Sequence, residues 1–131
     1  MYVLDASAAI EILLGTEIGA RWRDRTMSQE AVLFAPHLID IEVMSGLRRM
    51  ASSRVASAVD VNGAVQNFDD LRIERYSHSV LLPRIWELRQ SISAYDAAYV
   101  ALAEILDLPL LTGDAKLSRS QGHLAKIELL S

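Results

Sequence analysis

The chain has 131 residues and a mass of 14.5 kDa, and 51% of its residues are hydrophobic. This length is typical of one domain and the hydrophobic content excludes a disordered chain, so we expect residues 1–131 to form a single domain. Cysteine is absent, which excludes a disulfide framework, a thiolate metal site and a cysteine nucleophile. The net charge of −4 is not that of a protein that binds nucleic acid through a basic surface.

No secretory signal begins the sequence, and no apolar run reaches the ~20 residues of a membrane span. We therefore expect a cytoplasmic protein. The first half of the chain alternates short apolar strands with helices. In chain order these are a strand at 2–4, helices at 6–14 and 17–26, a strand at 31–35 ended by Pro36, helices at 37–52 and 55–68, and a strand at 71–76.

In the helix at 37–52, four apolar residues recur every three positions and predict the face turned to the core: Leu38, Ile41, Met44 and Leu47. The second half predicts a helix at 80–90 and a buried helix at 97–106, opened by a capping box at Ser93–Asp96. Strands follow at 110–112 and 126–130. This alternation predicts an α/β fold, a three-layer sandwich around a mostly parallel sheet of four to five strands.

Two acids follow predicted strands at the edge of the sheet where functional crevices form. Asp5 comes directly after the first strand, and Asp114 comes two residues after the strand at 110–112. In open parallel sheets, ligands bind at the carboxyl ends of the strands. Taken singly, either residue has an ordinary alternative role as a helix N-cap or a turn former.

Two further acids belong to predicted helices. Glu42 lies at the edge of the predicted core-facing stripe, where its alternative role is a salt bridge to Arg48 or Arg49. Asp96 occupies the first turn of the apolar helix, where its alternative role is to complete the capping box. The helix dipole would keep this sheltered carboxylate ionised, which is the state a hard cation needs in its ligand.

If the four acids converge, their mutual repulsion raises at least one pKa unless divalent cations neutralise them. Oxygen ligands alone suit Mg²⁺ or Mn²⁺. Zinc is disfavoured because cysteine is absent and the histidines lack ligand spacing, so we interpret the histidines as surface or capping residues. The patterns around Trp86, Tyr95 and Tyr99 are more typical of core residues than of exposed stacking platforms.

Four segments together resemble the PIN-domain family, and within it the VapC-type ribonuclease toxins of prokaryotic toxin–antitoxin systems. They are Val3-Leu4-Asp5-Ala6-Ser7-Ala8, Ile41-Glu42-Val43 followed by Gly46-Leu47-Arg48-Arg49, Tyr95-Asp96-Ala97-Ala98-Tyr99-Val100-Ala101-Leu102-Ala103-Glu104, and Leu111-Thr112-Gly113-Asp114-Ala115-Lys116-Leu117. The block around Asp96 is the most specific of them. The resemblance spans the chain from Asp5 to Leu117.

The resemblance implies an endoribonuclease that depends on Mg²⁺, with Mn²⁺ as the other possibility, and hydrolyses RNA by metal-activated water. The four acids of the family match Asp5, Glu42, Asp96 and Asp114, which would be both the catalytic residues and the metal ligands. Ser7 and Thr112 match supporting hydroxyl positions. The implied partners are an RNA substrate, a cognate antitoxin that obstructs the site, and a second copy in a homodimer, with no membrane.

Other functions stay open at this point. A stand-alone PIN-domain nuclease in RNA processing would carry the same acids. A receiver-like signalling domain would also have an acidic Mg²⁺ pocket, but it needs adjacent acids after the first strand, whereas Asp5 stands between Leu4 and Ala6. A phosphatase with an Asp-x-Asp motif would need a second aspartate two residues after Asp5, where this chain has Ser7. A binding module whose acids only cap helices would not explain why acids stand at all four positions that match the family.

Overall fold

The computed structural model describes all 131 residues as five strands connected by helices. The strands are β1 (Tyr2–Leu4), β2 (Leu33–Pro36), β3 (Ile73–Tyr76), β4 (Leu110–Thr112) and β5 (Ile127–Leu129). The helices are α1 (Ala6–Leu14), α2 (Glu17–Met27), α3 (Leu38–Ser52), α4 (Ala58–Asn67), α5 (Leu82–Glu87), α6 (Ala94–Leu106) and α7 (Ala115–Ser118). Short 3₁₀ turns at Phe68–Leu71 and His78–Val80 precede β3 and α5.

All five strands belong to one parallel sheet in the order β3-β2-β1-β4-β5. The central strand β1 pairs on both sides, with Val3 opposite Phe34 of β2 and opposite Leu110 of β4. Helix α6 packs on β1, β2 and β4, and α1 packs on α2, α3 and α4. The predicted α/β class, with a parallel sheet of four to five strands flanked by helices, is confirmed.

The helix α6 is as buried as its sequence predicts, since every residue from Ala97 to Ala103 is buried. None of the helices has the length and hydropathy needed to cross a bilayer. Several predicted boundaries shift by a few residues. β2 begins at Leu33 and includes Pro36 as its last residue, α4 begins at Ala58, and the helix predicted at 80–90 is the shorter α5.

The predicted core face of α3 is wrong for Ile41 and Met44, while Leu47 is buried and Leu38 packs against the core. Ile41 is 70% exposed and Met44 is 36% exposed, whereas the buried residues of this helix are Ile39, Val43, Gly46 and Leu47. The physical reason is the helical repeat of about 3.6 residues per turn. A strict spacing of three falls short of one turn at each step, so such a stripe winds around the helix instead of staying on one face.

Candidate active site

The site lies where the strand order of the sheet reverses. From β1 the chain proceeds to β2 and β3 on one side, and it then returns to β4 on the other side of β1. Crevices form at such switch points, outside the carboxyl ends of the strands. Asp5 directly follows β1 and Asp114 follows β4, so the topology places both acids at this crevice.

A cleft of about 450 Å³ opens there, and all four predicted acids line it. We call it the acidic cleft. Asp5 and Asp114 come from the strand ends, Glu42 from α3 and Asp96 from the first turn of α6. The other lining residues are Ala6, Ser7, Ile10, Glu11, Gly46, Arg49, Met50, Ser53 and Tyr99.

Asp5 is the most buried of the four acids, with 5% of its surface exposed. Its Oδ1 accepts hydrogen bonds from the backbone N–H of Ala8 at 2.9 Å and from the Ser7 hydroxyl at 2.7 Å, and its Oδ2 accepts from the Thr112 hydroxyl. Burial raises the pKa of this carboxyl and the charge of Asp96 adds to the rise, while the three hydrogen bonds oppose it. Asp5 therefore serves as the N-cap of α1 and also lines the cleft.

Two hydroxyl groups join the ends of β1 and β4. Ser7 Oγ and Thr112 Oγ1 are 3.2 Å apart, and both donate to Asp5. Ser7 Oγ also accepts from the backbone N–H of Gly113, and Thr112 Oγ1 accepts from that of Asp114. The two hydroxyls implied by the family resemblance thus hold the Asp5 carboxylate against the β4–α7 turn.

Asp114 also caps a helix. Its Oδ1 accepts from the backbone N–H groups of Lys116 at 2.8 Å and Leu117 at 3.3 Å, at the start of α7. Its Oδ2 has no hydrogen-bond partner, so the capping role leaves one carboxylate oxygen uncommitted.

Glu42 is held by a tyrosine instead of an arginine. The Tyr99 hydroxyl donates to Glu42 Oε1 at 2.6 Å, and neither Arg48 nor Arg49 forms an ion pair with Glu42. Burial of Tyr99 raises the pKa of its hydroxyl, and the Glu42 carboxylate raises it further. Tyr99 therefore stays protonated and donates to Glu42.

The ring of Tyr99 is in the core, as predicted, but its polar role was missed. One sequence feature does indicate it, because Tyr99 lies three residues after Asp96 and so shares a face of α6 with that acid.

Asp96 forms only half of the predicted capping box. Ser93 Oγ accepts from the backbone N–H of Asp96 at 3.1 Å, but no hydrogen bond joins the Asp96 carboxylate to the backbone N–H of Ser93. Burial raises the pKa of Asp96, the charge of Asp114 raises it further, and Ser93 and Lys116 oppose the rise. The capping function resides in Ser93, so the Asp96 side chain is not needed for it.

Sequence reasoning also missed two charged residues that line the cleft, Glu11 and Arg49. Arg49 lies seven residues after Glu42 on α3, so the helical repeat places both on one face.

The histidines, which we interpreted as surface or capping residues, do not line the acidic cleft. His78 Nε2 accepts from the backbone N–H of Leu38 at 2.8 Å, and His123 contacts Ser120. Two aromatic predictions are wrong, since Trp86 is 68% exposed and Tyr95 is 62% exposed. Both lie near the ends of the short segment from α5 to α6, where little of the chain covers them.

The donor set fits a hard divalent cation in its chemistry. The lining side chains offer carboxylate oxygens, and Glu42 Oε2, Asp114 Oδ2 and both oxygens of Asp96 have no hydrogen-bond partner. The raised pKa values of Asp5 and Asp96 reflect burial and like charge, which a bound cation would offset. In this arrangement no three acidic or histidine side chains are close enough to form a complete metal-binding group. The acids share a cleft without meeting at one point.

Residues 2–122 match the PIN domain. The chain belongs to the PIN-domain family. It is 44% identical to VapC ribonuclease Mb0985 of Mycobacterium bovis over 118 residues, and this alignment covers 90% of this chain and 89% of the relative. It is 38% identical over 131 residues to Ribonuclease VapC12 of Mycobacterium tuberculosis, with 100% of both chains covered. Ribonuclease VapC1 of the same organism is 40% identical over 129 residues, or 98% of this chain and 96% of the relative.

A solved structure supports the same fold. The crystal structure of PAE2754 from Pyrobaculum aerophilum aligns with a TM-score of 0.64 at 23% identity, covering 96% of this chain and 82% of that one. The resemblance to VapC-type members of the PIN-domain family is confirmed. The receiver-like interpretation is excluded by this membership.

Proposed function

We propose that this protein is a metal-dependent endoribonuclease and the toxin of a type II toxin–antitoxin pair. The observation that carries the proposal is the gathering of four carboxylates in one cleft, in a chain whose relatives are named VapC ribonucleases. A stand-alone nuclease in RNA processing has no observation that favours it over the toxin. The catalytic unit is a single PIN-like domain over residues 1–131, acting on cytoplasmic RNA.

Each residue of the site has a role in this proposal. Asp5, Glu42, Asp96 and Asp114 would hold Mg²⁺, or Mn²⁺ in its place. When bound, the cation supplies activation of water, neutralisation of the charge on the phosphate and stabilisation of the leaving oxygen. Ser7 and Thr112 orient Asp5, and Tyr99 fixes Glu42 by donating to one of its oxygens.

The proposal reconciles a negative net charge with an RNA substrate. Without cations, the four carboxylates would repel a phosphodiester. Bound divalent cations reverse the sign of the local charge, so that the protein needs no overall positive charge to bind its substrate at the reacting phosphate.

Two protein partners complete the proposal. A cognate antitoxin would bind the toxin and obstruct the acidic cleft, and a second copy would form a homodimer. Exposed apolar side chains such as Ile41 on α3 and Leu82 on α5 offer surface for such contacts. Light scattering of the purified chain, alone and after co-expression with a neighbouring reading frame, tests both partners.

The experiment that tests the activity is cleavage of a panel of single-stranded and structured RNAs with Mg²⁺, Mn²⁺ or EDTA. We expect cleavage with either cation and none in EDTA. Attack by water leaves a phosphate monoester on one product and a hydroxyl on the other, so no 2′,3′-cyclic phosphate should form.

A variant and a matched control make this test specific. Glu42→Gln keeps an acceptor for Tyr99 but loses the charge, and it should lower kcat by more than the roughly 10–100-fold typical of an outer-shell partner. Glu74→Gln, at an exposed position of β3, should cleave like the wild type. Cleavage that persists both in EDTA and in Glu42→Gln would disprove the metal-dependent reaction.

A further inference from the structure

A second cleft, of about 670 Å³, opens beside the acidic cleft and shares Asp96 and Asp114 with it. We call it the side cleft. The connection between α5 and α6 forms one wall, and α7 with the residues after it forms another. Three cations and three serines also line it: Arg89, Lys116, Arg119, Ser91, Ser93 and Ser120.

The side cleft concentrates positive charge in a protein whose net charge is −4. Arg89, Lys116 and Arg119 line it, and none of them forms an ion pair. The acidic cleft, by contrast, is lined by one cation, Arg49. Lysine, arginine and serine side chains are the common contacts to phosphate oxygens. Three cations without an ion pair, together with the serines of the wall, therefore suit a phosphodiester backbone.

The positive charge of the side cleft reaches the edge of the candidate active site. Asp96 and Asp114 line both clefts, and the backbone N–H of Lys116 donates to Asp114 Oδ1 at 2.8 Å, so Lys116 lies where the two clefts join. A strand whose reacting phosphate lies at the four acids would thus meet these cations at its neighbouring phosphates.

An aromatic platform stands next to the same cleft. The Arg89 guanidinium lies 4.5 Å from the centroid of the Trp86 ring, and Arg89 Nη1 donates to the backbone carbonyl of Trp86 at 2.8 Å. The Trp86 side chain remains 68% exposed. A large aromatic ring in solvent, held beside cations, is the combination with which proteins bind single-stranded nucleic acid, because every base can stack on it.

We propose that the side cleft binds the single-stranded RNA that flanks the scissile phosphate, with Arg89, Lys116 and Arg119 on backbone phosphates and Trp86 stacked on a base. This inference rests on the proposed ribonuclease function and adds to it the path of the strand. Arg89, Lys116, Arg119 and Trp86 are then positioning residues, which hold the strand without touching the reacting atoms.

The test is equilibrium binding of a fluorescent single-stranded RNA of about twelve nucleotides, measured by anisotropy over a series of salt concentrations in EDTA. For single strands, the slope of log K against log salt changes by about 0.7 for each phosphate that a variant no longer neutralises. Arg89→Ala/Arg119→Ala should therefore bind more weakly and with a slope shallower by about 1.4. Trp86→Leu should bind more weakly with an unchanged slope, because stacking releases no counterions.

A matched double variant controls for the removal of two positive charges. Arg21 and Arg48 are exposed arginines outside both clefts, so Arg21→Ala/Arg48→Ala should keep the wild-type slope. Melting temperatures check that each variant is folded. If the Arg89→Ala/Arg119→Ala variant has a lower melting temperature than the wild type, the test uses Arg119→Ala alone, for which the expected slope change is about 0.7.

Cleavage kinetics in Mg²⁺ separate this proposal from the proposed function. If the wild type cleaves RNA, the side-cleft variants should raise KM and leave kcat within about two-fold, as expected when uniform binding is weakened. If the wild type cleaves RNA but the side-cleft variants bind it with unchanged affinity and salt slope, the side-cleft proposal alone is overturned. If the wild type does not cleave RNA but the salt slopes of the variants become shallower as expected, the ribonuclease proposal is refuted and the RNA-binding site is retained. Binding of an acidic peptide but not of RNA would assign the cleft to a protein partner and overturn the proposal.

Discussion

At the scale of single residues, Asp5 and Asp114 combine two roles that their sequence positions present as alternatives. Each caps a helix through Oδ1, and each lines the acidic cleft. The two roles coincide because an N-cap that follows a parallel strand stands at the carboxyl edge of the sheet, where the crevice forms. Helix capping at such a position is therefore not an argument against ligand binding.

Thr112 allows a test of the bonds that hold Asp5. Its buried hydroxyl donates to Asp5 Oδ2 and accepts from the backbone N–H of Asp114 at 3.0 Å. Thr112→Val keeps the shape of the side chain but leaves the Asp5 carboxylate and the Asp114 N–H without this partner. We expect the free energy of unfolding to fall by about 1–3 kcal/mol. Urea denaturation in metal-free buffer measures the change.

The control for this prediction is the other buried threonine. The Thr26 hydroxyl donates to the backbone carbonyl of Trp22 within α2, and no charged group depends on it. Thr26→Val should therefore change stability less than Thr112→Val. Equal effects of the two substitutions would show that the bonds to Asp5 and Asp114 add nothing beyond an ordinary hydroxyl contact.

At the scale of elements, the packing of α2 against α1 supports one wall of the acidic cleft. A Cβ atom added to Gly19 would lie 1.9 Å from the backbone carbonyl oxygen of Glu11, one of the α1 residues that line the cleft. Backbone cannot yield as a flexible side chain does. Gly19→Ala should thus force the helices apart and lower the free energy of unfolding by about 1–3 kcal/mol.

Gly63 provides the matched control in another helix. No atom lies within 4 Å of the position that its Cβ would occupy in α4. Gly63→Ala should stabilise the protein by about 0.5–1 kcal/mol, because alanine loses less conformational freedom in a helix. Thermal melts of both variants check the pair, and a Gly19→Ala variant that melts at or above the wild type would contradict the packing described here.

The elements best predicted from sequence are those whose residues carry local information. Pro36 ends β2, Ser93 caps α6, and the apolar run of α6 predicts its burial. The acids at strand ends were predictable for the same reason, because a parallel sheet gives those positions meaning before any contact is known.

What the sequence did not reveal depends on partners distant in the chain. The bond between Tyr99 and Glu42 joins residues 57 positions apart, and nothing near either residue specifies it. The exposure of Ile41 and Trp86 depends on which faces other elements cover, so local patterns predicted the core wrongly for both. The side cleft combines residues of two segments whose approach is a property of the fold.

At the scale of the whole molecule, the burial of two carboxyl groups in the acidic cleft, with like charges beside them, makes the stability of the fold depend on pH. The pKa values of Asp5 and Asp96 are raised above the unfolded value of about 3.9, so both groups bind more protons in the folded state. Their contribution to stability is full below that value and is lost as pH rises through the raised pKa values. If the site holds Mg²⁺ as proposed, the cation would bind only the folded state and should offset the loss. We therefore expect the gain in melting temperature from Mg²⁺ over EDTA to grow between about pH 4 and 7; a gain independent of pH would contradict this linkage.

The most direct test of the cation site is the melting temperature of Asp96→Asn near neutral pH, in EDTA and in Mg²⁺. The substitution removes a charge beside Asp114 and keeps the Ser93 cap, which uses the backbone of residue 96. In EDTA the melting temperature of the variant should equal or exceed that of the wild type. The variant should also lose most of the Mg²⁺-induced shift in melting temperature. The Asp24→Asn control, at an exposed position, should behave as the wild type. A clear drop in the metal-free melting temperature with the Mg²⁺ shift intact would show that Asp96 stabilises the start of α6 and does not bind the cation.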